Sequence, residues 1–101
     1  MVPRRTIAVM ALLTADEIDA WRQGRDWRLD GTTLVRDLEV ADFAAAMALA
    51  NRVAEAAEAA DHHPDILVHG WNRVRLTLST HSAGGITAAD LTLAATIDEL
   101  V

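Results

Sequence analysis

The hydrophobic pattern of this chain changes its period at Pro64, and this change restricts the possible folds more than any other feature. Before the proline, apolar residues recur every three or four positions, which predicts one long helix from Phe43 to Asp61, capped by Asp42. After it, Arg73 to Thr80 alternate strictly between polar and apolar residues, as a strand with one buried face does. Because a proline disfavours helical geometry at the residue before it, the helix has to end there. The predicted buried stripe of the helix is Phe43, Met47, Ala50, Val53, Ala54 and Ala57.

Three shorter elements are predicted on each side of this helix, which gives the order helix, strand, strand, long helix, strand, strand, helix. Thr14-Ala-Asp-Glu17 indicates a capping box in front of a helix from Ala15 to Arg22. Asp30-Gly31 is a turn signal that joins the first two strands into a hairpin, and Thr87-Ala-Ala-Asp90 starts the last helix. The strands are predicted at Trp27–Leu29, Thr33–Val40, Ile66–Val68 and Arg73–Thr80. No linker or repeat interrupts this order, so the chain is expected to form one α+β domain.

Length and charge exclude several classes of protein. With 101 residues and no cysteine, the chain is expected to be one small domain without disulfides or a thiolate zinc site. Its formal net charge of −6 argues against nucleic-acid binding, which needs clustered Lys and Arg. No stretch approaches the roughly twenty apolar residues of a membrane span, so we expect no membrane association and a cytoplasmic location. Because the apolar run after Arg4 and Arg5 leads into the capping box without a cleavage site, we expect residues 1–9 to be a flexible extension and residues 10–101 to be the domain.

Three of the four histidines lie in two short segments that a small domain can bring together. His62 and His63 follow the long helix, and His81 lies eighteen residues after His63. Because histidine exchanges protons near neutral pH, a converging trio suggests acid–base catalysis. Two other interpretations stay open: the trio could hold zinc, or His-His-Pro could be only a solvated helix end. Adjacent histidines in extended geometry point apart, which weakens the zinc interpretation, and we expect no metal.

The whole order from Thr14 onward resembles the pterin-4a-carbinolamine dehydratase family, whose members are also called 4a-hydroxytetrahydrobiopterin dehydratases. The most specific segments are Glu58-x-x-x-His62-His63-Pro64 and Thr80-His81-x-x-Gly84-Gly85-Ile86-Thr87-x-x-Asp90. Weaker support comes from Trp27, from Phe43 after Asp42, and from Asn51-Arg52-Val53-Ala54. The combination of these segments is much more specific than any one of them.

The resemblance implies a fold, an assembly and a reaction. The fold would be a four-stranded antiparallel sheet covered by three helices, in homodimers that join sheets edge to edge and often pair into homotetramers. The reaction would be the cofactor-free dehydration of 4a-hydroxytetrahydrobiopterin to quinonoid dihydropterin, which recycles the pterin of aromatic amino-acid hydroxylases. By resemblance, the catalytic set is His62, His63 and His81. The residues expected to bind the pterin substrate are Glu58, Trp27, Ser79, Thr80 and Asp90.

An alternative function and one departure from the family accompany this resemblance. Relatives are known to act as partners of transcription or assembly proteins, so the alternative is a non-enzymatic protein-interaction module on the same fold. An intact histidine set favours the enzyme. Between Pro64 and Val74 the chain is one residue longer than the commonest form of the family, and we expect a bulge at Gly70 to absorb the difference. Structural interpretations also exist for three expected site residues: Glu58 on the surface, Trp27 in the core and Asp90 as a helix cap.

Overall fold

The secondary structure follows the predicted order in a computed structural model that describes residues 11–101; the predicted extension at residues 1–9 lies outside the described residues. The helices are α1 (Ala15–Arg22), α2 (Phe43–Ala60) and α3 (Ala88–Leu100), and the strands are β1 (Arg28–Asp30), β2 (Thr33–Glu39), β3 (Asp65–His69) and β4 (Arg73–Leu78). Three helices and one four-stranded antiparallel sheet in the order α-β-β-α-β-β-α confirm the predicted fold class. Predicted and observed element bounds differ by at most two residues.

The sheet has the strand order β1-β2-β4-β3, with antiparallel pairing throughout. A two-residue turn joins β1 to β2, and Gly31 takes φ +60° in it, a left-handed conformation that glycine adopts without steric cost. The central pair is β2 and β4, in which Leu34 lies opposite Leu78. The short β1 and the five-residue β3 form the two edges. Because Asp65 at the start of β3 pairs with Thr77 near the end of β4, the ends of α2 and β4 lie at the same end of the sheet.

The helices cover one face of the sheet and leave the other face open. Alternation along β4 turns Val74, Leu76 and Leu78 toward the helices, where each is completely buried. They pack with residues of all three helices, among them Ile18, Val53, Leu93 and Ile97. The intervening Arg73 and Arg75 are exposed on the opposite face. The core therefore lies between sheet and helices, and the open face is free to carry polar residues.

The predicted buried stripe of α2 is wrong in part. Phe43 is 56% exposed and Met47 is 41% exposed, and Ala54 is also on the surface. The buried residues of the helix are Ala46, Leu49, Ala50, Val53 and Ala57. Because the helix is rich in alanine, several of its faces have similar hydrophobicity, and the face with small residues packs closely on the sheet. Among residues 11–101, no helix has the length and apolar character needed to cross a membrane.

The turn between β3 and β4 lies where the sequence predicted a bulge at Gly70. His69 pairs with Arg73, which leaves Gly70, Trp71 and Asn72 in the connection. Gly70 and Trp71 have φ values of +54° and +56°. The side-chain amide of Asn72 donates to the carbonyl of Val40 at 3.1 Å, which fixes the turn against the end of β2. The predicted bulge at Gly70 is therefore wrong, because the pairing of β3 with β4 stays regular up to the turn.

An ion-pair cluster spans three strands on the open face. Asp37 Oδ2 accepts from Arg28 Nη1 at 2.6 Å, and Asp37 Oδ1 accepts from Arg75 Nε at 2.7 Å. Hydrogen bonds from Arg75 and then from Arg28 lower the pKa of Asp37 from 3.8 to about 2. Since this pKa is lower in the folded than in the unfolded chain, the cluster stabilises the fold at neutral pH, and this stabilisation is lost as the pH falls from 3.8 toward 2.

We expect the Asp37→Asn variant to be slightly less stable than the wild type at neutral pH, by less than about 1 kcal/mol, because exposed ion pairs are screened by solvent. The difference should disappear near pH 2, where Asp37 of the wild type becomes protonated. Urea unfolding of both proteins at several pH values measures it. A difference that stays constant down to that pH would contradict an electrostatic origin.

Candidate active site

The end of α2 determines where His62 and His63 lie. Asp61 ends the helix in the left-handed conformation with φ 50°, and its backbone N–H donates to the carbonyls of Ala57 and Glu58. The backbone N–H of His62 donates to the carbonyl of Ala57 at 3.1 Å. This cap satisfies helix carbonyls that would otherwise lack a donor. The chain then leaves the helix, and the two histidine side chains reach different partners.

His62 is held by a buried carboxylate. Its Nε2 lies 2.5 Å from Asp90 Oδ1, and Asp90 has no solvent-exposed surface. The other oxygen, Asp90 Oδ2, accepts from Thr80 Oγ1 at 2.8 Å and from the backbone N–H of Thr87 at 2.9 Å. A buried carboxylate is costly unless it is hydrogen-bonded, and here both oxygens have partners. Asp90 is therefore both a helix cap and the partner of His62.

His63 lies on the other side of the segment and is far more accessible. Its Nε2 lies 2.6 Å from Glu58 Oε2, and the two side chains are 58% and 76% exposed. Glu58 thus pairs with His63 and not with His62. At this exposure the pair adds little stability. Its effect is to restrain the direction of the imidazole.

His81 is presented by a tight loop between β4 and α3. The backbone N–H of Thr80 donates to the carbonyl of Gly85 at 2.8 Å, and the N–H of Gly84 donates back to the carbonyl of Thr80 at 2.9 Å. Gly84 has φ +78°, a value that residues other than glycine rarely adopt. These bonds close the loop on itself and leave the His81 side chain exposed at its tip.

His63 and His81 face the same pocket on the open side of the sheet. Its volume is about 170 Å³. The lining residues are Thr32, Thr33, His63, Asp65, Thr77, Ser79, His81 and Gly84. Two imidazoles therefore share a cavity with four hydroxyl groups and one carboxylate. Such a set can donate a proton to a bound molecule, accept another from it and hydrogen-bond its polar edges.

The expected site residues fall into three groups in the structure. His63, His81 and Ser79 line the pocket, while Glu58 contacts it through His63. His62, Thr80 and Asp90 form the buried network next to it. Trp27 belongs to neither group: it is 2% exposed, and its Nε1 donates to Asp98 Oδ1 at 2.8 Å within the core. Within the described part of the chain, no group of three His, Cys, Asp or Glu side chains is placed to hold a metal ion.

Sequence reasoning missed four of the polar residues that line the pocket. Thr77 and Asp65 lie opposite each other on β4 and β3, and Thr32 and Thr33 come from the β1–β2 turn and the start of β2. Alternation along β4 could have indicated Thr77, because it shares a face with Ser79. The other three required knowledge of the strand order.

Comparisons with known proteins match nearly the whole chain to one family. The family model for pterin 4 alpha carbinolamine dehydratase matches residues 11–100. A protein of Chloroflexus aurantiacus, named provisionally as such a dehydratase, is 48% identical over 90 residues, which cover 89% of this chain and 96% of the relative. A relative from Nocardia farcinica with the same provisional name is 55% identical over 75 residues, or 74% of this chain and 78% of the relative.

Two solved structures are similar in fold. The transcriptional coactivator/pterin dehydratase of Brucella melitensis has a TM-score of 0.82 and 31% identity, covering 89% of this chain and 98% of that one. A pterin dehydratase-like protein identified as a RuBisCO assembly factor in the alpha-carboxysome has a TM-score of 0.63 and 25% identity. That match covers 75% of this chain and 89% of the assembly factor.

We expect the Asp90→Ala variant to lose at least about 2 kcal/mol of unfolding free energy, because it leaves His62, Thr80 and the Thr87 N–H without their buried acceptor. Chemical denaturation followed by circular dichroism measures this loss. Glu99→Ala is the matched control, since it removes an exposed carboxylate from the same helix. Equal stability of the two variants would contradict a structural role for the Asp90 network.

Proposed function

The chain belongs to the pterin 4 alpha carbinolamine dehydratase family, and we propose that it dehydrates 4a-hydroxytetrahydrobiopterin to quinonoid dihydropterin by acid–base catalysis at its histidines. Membership makes the chain a dehydratase, which is a lyase. The observation that carries the catalytic proposal is that His63 and His81 line one pocket from two different loops. An acid and a base can thus act on the same bound ring.

The proposed reaction needs one proton delivered and one removed. A protonated imidazole donates to the C4a hydroxyl, and the C–O bond breaks with release of water. A neutral imidazole takes the proton from N5, and the electron pair of the N–H bond forms the new double bond between N5 and C4a. The substrate loses one molecule of water, and no electrons are exchanged with a cofactor. Acid–base assistance of this kind contributes about 10²–10⁴ in rate.

His62 has a positioning role in this proposal. Its Nε2 is engaged by Asp90, and its side chain is only 16% exposed. Because Thr80 is bonded to Asp90 and adjoins Ser79 and His81, the network connects His62 to the β4 end of the pocket. We propose that this network holds the His81 loop and the end of α2 in a fixed relative position. Glu58 restrains His63 in a similar way from the exposed side.

We extend the proposal to the setting of the enzyme. By resemblance to the family, it would recycle the pterin of aromatic amino-acid hydroxylases, act in the cytoplasm, and assemble into homodimers or homotetramers. The strand β3 supports the edge-to-edge dimer: it is a sheet edge, and no other strand among residues 11–101 pairs with its outer side. Unpaired strand edges are sites at which another chain can add to a sheet.

A second candidate is a protein-interaction or assembly role without catalysis. The similar structure identified as a RuBisCO assembly factor favours it, and so do Phe43 and Met47, which expose apolar surface on one side of α2. The pocket with two histidines favours the enzyme, since an interaction surface elsewhere on the protein gives no physical reason for it. Catalytic measurements on histidine variants distinguish the two.

We expect the purified protein to accelerate quinonoid dihydropterin formation from freshly made 4a-hydroxytetrahydrobiopterin, measured by absorbance. His63→Ala and His81→Ala should each lower kcat by about 10²–10⁴, because each removes one proton-transfer group. His69→Ala is the matched control: this histidine ends β3 and does not line the pocket, so kcat should stay at the wild-type value.

Two results would contradict this proposal. A folded wild-type protein without dehydratase activity would rule out the enzymatic function and favour the interaction role. Equal activity of the His63→Ala, His81→Ala and His69→Ala variants would show that dehydration does not depend on the histidines of the pocket.

A further inference from the structure

We propose that Asp65 orients the substrate by accepting hydrogen bonds from the amino-pyrimidine edge of the pterin ring. This inference rests on the proposed function, since it concerns how the same pocket recognises its substrate. It adds a specificity-determining residue that neither the motif nor the histidine pattern indicated. The supporting observations are the position of Asp65, its lack of partners and the donor pattern of a pterin.

Asp65 is placed at the pocket by two independent features. It is the first residue of β3, directly after His-His-Pro, so it follows His63 closely in the chain. It also lies opposite Thr77 in the β3–β4 pairing, and Thr77 lines the same pocket. The carboxylate is therefore attached to a paired strand and not to a free loop. A group on a strand is held more precisely than one on a loop.

The carboxylate of Asp65 is available for a ligand. Among residues 11–101, it takes part in no hydrogen bond or ion pair. The nearby acidic residues are already engaged: Glu58 with His63, Asp90 in the buried network, and Asp37 with two arginines. Among the residues that the structure describes, Asp65 is the only acidic one that lines the pocket. An exposed carboxylate without a partner, beside two imidazoles, is an acceptor for a donor-rich ligand.

The pyrimidine half of a pterin has the matching pattern. Its ring N3–H and exocyclic 2-amino group are adjacent donors that point the same way, like the two donors of a guanidinium. A carboxylate accepts two parallel hydrogen bonds from such a pair, which fixes direction as well as distance. The other lining groups are hydroxyls and imidazoles, which do not offer two acceptors side by side. Binding of this edge at Asp65 leaves the C4a–N5 bond directed toward the rest of the pocket, where the proton-transfer groups lie.

The test compares two ring systems that differ at one group. 7,8-Dihydropterin carries the 2-amino donor, whereas 7,8-dihydrolumazine carries an oxo acceptor in its place. Calorimetric titration should show that the wild type binds dihydropterin about tenfold to hundredfold more tightly than dihydrolumazine, the size expected for hydrogen bonds to a charged group. Asp65→Asn and Asp65→Ala should lose most of this preference by weakening the binding of dihydropterin.

Asp30→Asn provides the matched control. Asp30 is an exposed aspartate at the end of β1 on the same sheet, it does not line the pocket, and asparagine has nearly the same size and shape. The variant should keep the wild-type preference, which separates a specific contact from a general loss of negative charge. Circular dichroism establishes that each variant is folded.

The outcome can overturn this inference without affecting the proposed function. If Asp65→Asn and Asp65→Ala bind dihydropterin as tightly as the wild type, or keep its preference over dihydrolumazine, Asp65 does not recognise the amino-pyrimidine edge. The dehydration assay of the wild type is a separate measurement, and only its failure would count against the enzyme. Loss of preference in Asp30→Asn as well would also overturn a specific role for Asp65.

Discussion

The buried carboxylate of Asp90 connects three parts of the chain, and the geometry of the site depends on it. It receives His62 from the end of α2, Thr80 from the end of β4, and the backbone of Thr87 at the start of α3. Removing a carboxylate from water is costly, so the arrangement is stable only when all these partners are present. The loops that carry the two accessible histidines are both attached to this network.

Two segments of the site, His62–His63 and Ser79–Thr80, each contain neighbouring residues whose side chains point to opposite sides and have different contacts. Thr80 turns to Asp90 in the interior, whereas Ser79 turns to the pocket on the open face. His62 and His63 divide in the same way between Asp90 and the pocket. Alternation along an extended backbone thus gives each segment one residue that anchors it and one that faces the pocket.

The periodicity of apolar residues predicted the helices and strands well, but it predicted the buried face of α2 only in part. Thr14 and Asp42 cap α1 and α2 where the sequence indicated, since capping is a local interaction within one turn. The buried face of α2 was mispredicted because large residues were assumed to face the core. The buried face contains Ala46 and Leu49 beside the predicted Ala50, whereas Phe43 remains exposed. In an alanine-rich helix the choice of face depends on how closely the sheet approaches, which no local pattern contains.

Local sequence was sufficient for the order of elements and for the end of α2 shortly before Pro64, because periodicity, capping and the proline effect act within a few residues. Only the folded chain decided that Trp27 packs in the core and that Asp65 joins His63 and His81 around one pocket. These outcomes follow from strand order and register, which bring together residues far apart in the chain. Register is chosen by burial of the whole sheet face and not by the residues that happen to meet on it.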